Sequence, residues 1–407
     1  MNRYRDLLTT PGVARIIAAQ LTARIPTGMI TLAYLIHVER IFDSYGQAGL
    51  VLAATSLGQA IAGPLTSRWM GRWGMRTVIS TTLVISLISM VAVAFLPMAL
   101  VGYMFFGLLG GLATPPIQPA VRTIYPKMVN SRQLTPLFSL DASAQEIIWV
   151  TGPVITTFLA IQISPPVAII TAAVILAVGG AWFLASPELG SVRIPPNKRR
   201  LGSVLTKGPV LLATVVGFLL IGSAAAIEVA VVSVFGEEGT EAGILLAMWA
   251  VASLIGGLAL GGVPIGPWAM AVRMVVVALG MLLAIASTNF WWLLGTLAIA
   301  GAGIAPALTV MFAIVSASVK FSETAEAYGW VGSGQLVGAA LGSAVAGFAI
   351  DGFDSPGGFV TAFIFAALGA IVAAVFKRAH PDLRDRDASP LPDTEPVTVP
   401  GGGSSVG

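Results

Sequence analysis

The sequence predicts an all-α polytopic membrane protein of twelve transmembrane helices, arranged as two pseudo-symmetric six-helix bundles. Composition, the spacing of apolar runs and an internal repeat carry that expectation. Hydrophobic residues make up 56% of the 407 and charged residues only 10%, whereas soluble domains carry about 25% charge. The apolar runs repeatedly reach the roughly 20 residues that cross ~30 Å of hydrocarbon, where a helix satisfies its own backbone polar groups.

Taken in order, the first six spans cover 13–36, 47–69, 77–96, 99–121, 137–161 and 167–184. The opening MNRYRDLLTTPG is short and polar, and the run after it lacks a small-residue cleavage pattern, so the first span is a retained helix. The basic stretch RIPPNKRRLGSVLTKG follows, and six more spans cover 209–235, 242–262, 268–287, 290–315, 326–350 and 359–376. The organisation is therefore a bundle over 1–186, a basic cytoplasmic linker over 187–208, a bundle over 209–376 and a disordered cytoplasmic tail over 377–407, Pro-rich and ending GGGSSVG.

With the N-terminus inside, Arg68, Arg72, Arg76, Arg122, Lys127, Arg132, the linker cations, Arg273, Lys320, Lys377 and Arg378 all fall on one side. The opposite loops carry Glu39, Asp43, Glu237, Glu238, Glu241, Asp351 and Asp354. This is the positive-inside pattern of a multi-pass protein of the cytoplasmic membrane with both termini cytoplasmic. The net charge of +3 is a topology signal and implies no nucleic-acid partner. Cysteine is absent and histidine occurs only as His37 and His380, which removes disulfides, thiolate catalysis and cysteine metal sites. No HExxH pair, GxSxG elbow or P-loop is present, so an enzyme, a metal and a cofactor are not expected, and transport must draw on a gradient.

The halves align at a fixed offset. A shift of 194 places AGLVLAATSLGQAIAG from Ala48 on AGILLAMWAVASLIGG from Ala242, with Gly63 falling on Gly257. A shift of 190 places Ser143 on Ser333, Gln145 on Gln335 and Gly152 on Gly342. Parallel six-helix repeats about a membrane-normal axis, with substrate bound between them near the midplane, describe one large class of secondary transporter. Small residues such as Gly256, Gly257, Gly261 and Gly262, or Gly334, Gly338 and Gly342, allow close helix approach in lipid.

Six plus six spans around a basic linker resemble the major facilitator superfamily over nearly the whole chain. The loop after the second span reads SRWMGRWGMR, in which Arg72, Gly74 and Arg76 fit the family pattern while Ser67 replaces its first Gly and Gly71 its Asp. In the family that Asp takes part in a cytoplasmic gate, so here the gate is altered or built differently. The resemblance assigns Arg72, Gly74 and Arg76 to it, with Arg122 beside them. Tyr103 stands where many proton-coupled drug exporters carry an Arg four residues before Gly107. Gly152-Pro153 matches the antiporter signature of the fifth span without its following Gly pair. Phrases such as LATPPIQPAVRTIYP and FSLDASAQE resemble actinobacterial exporter-like members.

The costly residues lie within the spans, where a charge at the bilayer centre costs roughly 2.5 to 3.5 kcal/mol on an insertion scale. Arg24, midway along the first span, needs an acidic partner or an anionic substrate. Glu146 lies at comparable depth in the fifth span, which neighbours the first in the family fold, so an Arg24 to Glu146 pair is expected. Asp141 lies nearer the cytoplasmic end, on one face with Gln145, as a proton-coupling candidate or a solvated or loop-bonded helix end. Glu228 lies among Ala and Val in the seventh span, which lines the central cavity in this family, and is a proton carrier, substrate contact or structural group. Gln20, Gln59, Gln118, Gln145 and Gln335 offer hydrogen bonds without charge, and Trp149, Trp249 and Trp330 offer cavity walls. His37 is expected at the interface.

The expected function is proton-coupled export of small amphipathic molecules by alternating access, carried by a monomer in the bilayer, with Glu146, Glu228 and Asp141 as titratable groups. Two alternatives stay open: an importer or facilitator in which Arg24 binds an anionic group, and a ligand sensor without turnover.

Overall fold

The computed structural model describes residues 2–197, 199–236 and 240–393. Lys198, Glu237, Glu238 and the GGGSSVG end lie outside the described residues.

The first half contains a short leading helix α1 (Asn2–Thr9), then α2 (Val13–Phe42), α3 (Tyr45–Trp73), α4 (Met75–Phe95), α5 (Leu100–Leu112), α6 (Ile117–Met128), α7 (Ser131–Ala144), α8 (Glu146–Gln162), α9 (Pro165–Ala185) and α10 (Pro187–Ser191). Its boundaries follow local chemistry. Ser44 caps α3 by accepting from the Gln47 amide at 3.3 Å, and Asn130 caps α7 by accepting from Gln133 at 3.1 Å. Gly74, at φ 87°, makes the turn from α3 into α4 that a side chain would strain.

The fourth and fifth expected spans are each interrupted. Pro115 and Pro116 separate α5 from α6 because they supply no amide donors and push Thr114 out of the helical region. Between α7 and α8 the chain tightens at Gln145, which keeps right-handed helical angles. Gln145 accepts from the Ile148 amide three residues on.

The second half contains α11 (Gly208–Phe235), α12 (Thr240–Leu260), α13 (Ala269–Ala284), α14 (Phe290–Ser318) and α15 (Phe321–Val375). Ten helical stretches are long and apolar enough to cross a membrane, with α5 and α6 counted as one and α7 and α8 as another. Of the remaining expected spans, α13 has 16 residues, a rise of about 24 Å. The 55 residues of α15 would extend for about 80 Å if straight. They reverse instead at Phe353 and Asp354, whose backbone angles are non-helical, and Asp354 takes φ 57°. The two expected final spans therefore form one continuous path with a bend.

The halves meet along a seam, and the internal repeat is visible in its contacts. A Cβ built on Gly63 would meet the Ser333 hydroxyl at 2.9 Å, and one built on Gly257 would meet the Ser143 hydroxyl. The offsets of 194 and 190 carry the first of these contacts onto the second. The end of the bundle that carries α1, the linker and the final segment is the linker side; the opposite end is the far side.

The tail departs from the expected disorder as far as Asp393. Leu391 bridges Val319 and Phe321 through backbone hydrogen bonds of 2.9 and 3.1 Å, the Leu383 amide donates to Ile265, and Asp393 accepts from the amide and hydroxyl of Ser322. Leu383, Ala388 and His380 are buried. Its Pro-rich composition suggested an unpacked chain, yet a few apolar side chains and backbone amides suffice to dock it across the α12–α13 and α14–α15 loops.

Candidate functional site

Arg24, Arg122 and Asp141 meet inside the first half, where α2 passes α6 and the end of α7. Asp141 is fully buried. It accepts from Arg122 Nε at 2.8 Å, Gln20 Nε2 at 3.1 Å and the Tyr125 hydroxyl at 3.2 Å, and Arg24 lies 3.6 Å away. Arg24 donates to the Gln20 and Gln145 amide oxygens at 2.9 and 3.1 Å, and Arg122 also reaches Gln145 at 3.3 Å. Gln118, in the orientation that satisfies its amide, accepts from Arg122 at 2.7 Å and Arg24 at 3.2 Å. Neutral carboxamides thus take up guanidinium donors that a single carboxylate cannot serve.

This placement corrects the expected Arg24 to Glu146 pair. Asp141 and Gln145, four residues apart, share the helix face turned to α2. Glu146 lies about 100° further round the axis and points to the other half. There its Oε1 accepts from the Ser253 hydroxyl of α12 at 2.9 Å, and Ser253 in turn accepts from the Ala305 amide of α14 at 3.2 Å. Asp141 is likewise neither solvated nor a loop-bonded end: it is the shared counter-ion of two arginines. Glu228 is exposed and near enough to Glu146 for their charges to interact.

Other contacts join the halves on the linker side. Tyr4 donates to the Leu258 carbonyl at 2.8 Å, Ser139 to Gly257 at 2.5 Å and Ser333 to Ala60 at 2.5 Å. Arg122 stacks on the Phe312 ring at 3.4 Å. Arg68 pairs with Glu326 at 3.3 Å, while Asn197 and the Gly202 amide of the linker bind the same carboxylate at 3.1 and 2.8 Å. Lys207 and Arg199 pair with Glu323. Among the described residues, every side-chain hydrogen bond between the halves lies between the linker side and the level of Glu146. Side-chain hydrogen bonds therefore tie the linker-side part of the seam, and none among the described residues ties the far side.

Arg72, Gly74 and Arg76, expected at a cytoplasmic gate, make no side-chain hydrogen bond or ion pair across the seam among the described residues. Arg72 lies over its neighbour Trp73, Arg76 reaches the Ser186 carbonyl at 3.5 Å within its own half, and Gly74 supplies the turn. Arg122 crosses the seam at a deeper level, through Phe312. The sequence signals for Arg68 and Glu326 were the altered motif, which lost its Asp at Gly71, and a carboxylate in the second turn of α15.

A partly open cavity lies wholly within the first half and has Arg24 in its wall. Gln59, Thr27, Tyr34, Thr55 and Ser86 line it with apolar Ile30, Met90 and Leu176. Of the remaining expected wall residues, Trp149 is 54% exposed, and Gln335 lies beside Met311, 3.7 Å from its sulfur. Trp249 is buried and Trp330 is half-buried; neither indole N–H has a partner among the described residues. His37, near the far-side end of α2, is buried and donates to the Val93 carbonyl at 2.9 Å.

The chain matches the family model described as Major Facilitator Superfamily over residues 16–269 and 259–398. A search of curated proteins returns no match. Solved structures with the same fold include the human organic anion transporter MFSD10 (TETRAN), at 16% identity and TM-score 0.69 over 89% of this chain and 98% of that one. A bacterial homologue of the iron transporter ferroportin, in an outward-facing state, aligns at 13% identity and TM-score 0.72 over 90% and 99%. The proton:xylose symporter XylE aligns at 12% identity and TM-score 0.72 over 93% and 98%.

Proposed function

Because the chain belongs to the major facilitator superfamily, we propose that it is a secondary active transporter that exports small amphipathic molecules across the cytoplasmic membrane in exchange for protons. It acts as a monomer of twelve spans, counting α13 and both legs of α15, with its linker side cytoplasmic.

The hydrogen bond from Ser253 to Glu146 carries this reading. It joins a titratable group of one half to α12 of the other at the level where the closed part of the seam ends, and Glu228 faces the same region. A hydrogen bond to an ionised carboxylate is roughly twice as strong as a neutral one. Protonation of Glu146 from the far side weakens the tie and frees the linker-side seam to open. Proton release inside and substrate entry then restore the carboxylate, and the seam closes behind the cargo. The fold accommodates proton coupling, since a proton:xylose symporter shares it.

The test is flux in proteoliposomes under an imposed pH gradient. Glu146→Gln with Glu228→Gln, in protein that still folds, is expected to abolish pH-driven transport while leaving substrate binding in place. Undiminished pH-driven flux removes these two residues from the coupling.

A further inference from the structure

The buried cluster holds two guanidinium groups against one carboxylate. Asp141 is the one carboxylate paired with either guanidinium among the described residues, and Glu146 turns away to Ser253. One positive charge of the cluster therefore has no counter-ion among the described residues. Arginine does not shed its proton in proteins, and an unmatched charge within a membrane span calls for a partner. Arg122 is sealed in, with 3% of its side chain accessible and Phe312 covering its face. Arg24 keeps 13% of its side chain accessible and stands in the cavity wall.

The remaining lining narrows the ligand. Among the described residues it contains no Asp or Glu, so a cation finds nothing there to balance it. Thr27, Tyr34, Gln59 and Ser86 offer hydroxyls and an amide near the charge, while Pro26, Ile30, Met90 and Leu176 offer apolar surface. We infer that this cavity binds a small amphipathic monoanion, with its charged head on Arg24 and its apolar body along α2, α4 and α9. The site lies inside one half and beside the seam. The same cluster reaches the other half through Arg122 and Phe312, and through Gln145 it adjoins Glu146, so an occupied cavity adjoins the proposed proton switch.

Calling this ligand the exported substrate rests on the transport reading; its binding does not. The test uses three probes of one shape, 4-isopropylbenzoate, 4-isopropylbenzyl alcohol and 4-isopropylbenzylamine, with sodium chloride as an inorganic anion alone. Equilibrium binding and thermal stabilisation are measured on the purified full chain in micelles. The carboxylate is expected to bind at least tenfold more tightly than the alcohol, the amine or chloride. Arg24→Gln is expected to abolish that preference, and Arg24→Lys to keep part of it. Arg24→Gln leaves a neutral Arg122 and Asp141 pair, so the fold is retained, and the wild-type comparison needs no variant. Equal binding of carboxylate and alcohol, tighter binding of the amine, a response to chloride as large as to carboxylate, or an unchanged preference in Arg24→Gln overturns the assignment. Carboxylate binding without flux would refute transport and leave this site standing; pH-driven flux of amines alone would do the reverse.

Discussion

Asp141 faces two arginines, so the members of the cluster are not equivalent under mutation. Removing one partner of a buried ion pair costs about 3–5 kcal/mol because the other charge stays buried and unmatched. Asp141→Asn is expected to lower stability by about that amount, or to prevent insertion, because it leaves both guanidinium groups without an anion. Arg24→Gln removes the surplus charge and is expected to leave stability within about 1 kcal/mol of the parent, the range of minor substitutions. Denaturant titration of the two purified variants makes the comparison. Arg24 and Asp141 were legible in the sequence as costly charges. Their pairing was not, because depth in a span leaves open which face a side chain takes: Asp141 and Gln145 share the face turned to Arg24, and Glu146 lies about 100° round from it.

At the level of elements, interruptions and docked segments matter more than regular helices. The Pro115-Pro116 break and the tightening at Gln145 lie at the two ends of the stretch that bears Gln118, Arg122, Tyr125 and Asp141. The final segment is a second such element. His380 is buried, its Nδ1 donates to the Pro381 carbonyl, and its other nitrogen has no partner among the described residues. Burial holds its pKa below the ordinary value, with the backbone bond opposing, Arg273 acting in the same sense as burial, and Asp382 opposing. A buried histidine of this kind favours docking while both states are neutral. Protonation of the released state then draws the segment out as pH falls through about 6.5. Limited proteolysis between Lys377 and Asp393 is therefore expected to accelerate below that pH, and His380→Phe to remove the acceleration. Asp382, which Arg384 holds down to about 2, stays ionised across this range. The sequence showed the charge and proline of this segment, whereas its docking depends on loops distant in the chain.

At the scale of the whole molecule, spans, repeat and family were legible because lipid imposes a length and a hydropathy on every crossing. The Gly63 to Ser333 and Gly257 to Ser143 contacts express the repeat that the offsets indicated. The seam was less legible. Arg68 and Glu326 stand 258 positions apart, and nothing local in either segment marks the other. In the proposed alternating-access cycle, hydrogen bonds that tie the linker side, with none among the described residues on the far side, correspond to one of its two arrangements. Because the chain has no cysteine, spin labels can be placed at will: Arg132→Cys and Val263→Cys straddle the linker-side seam from exposed positions, and Tyr45→Cys and Phe348→Cys report on the far side. The central claim is that protonation of Glu146 unlocks the seam, and double electron–electron resonance on the linker-side pair tests it most directly. Acidification is expected to lengthen that distance in the labelled parent, and in Glu146→Gln the longer distance is expected at every pH. A pH response that survives in Glu146→Gln, or a single unchanging distance in both proteins, would contradict the account.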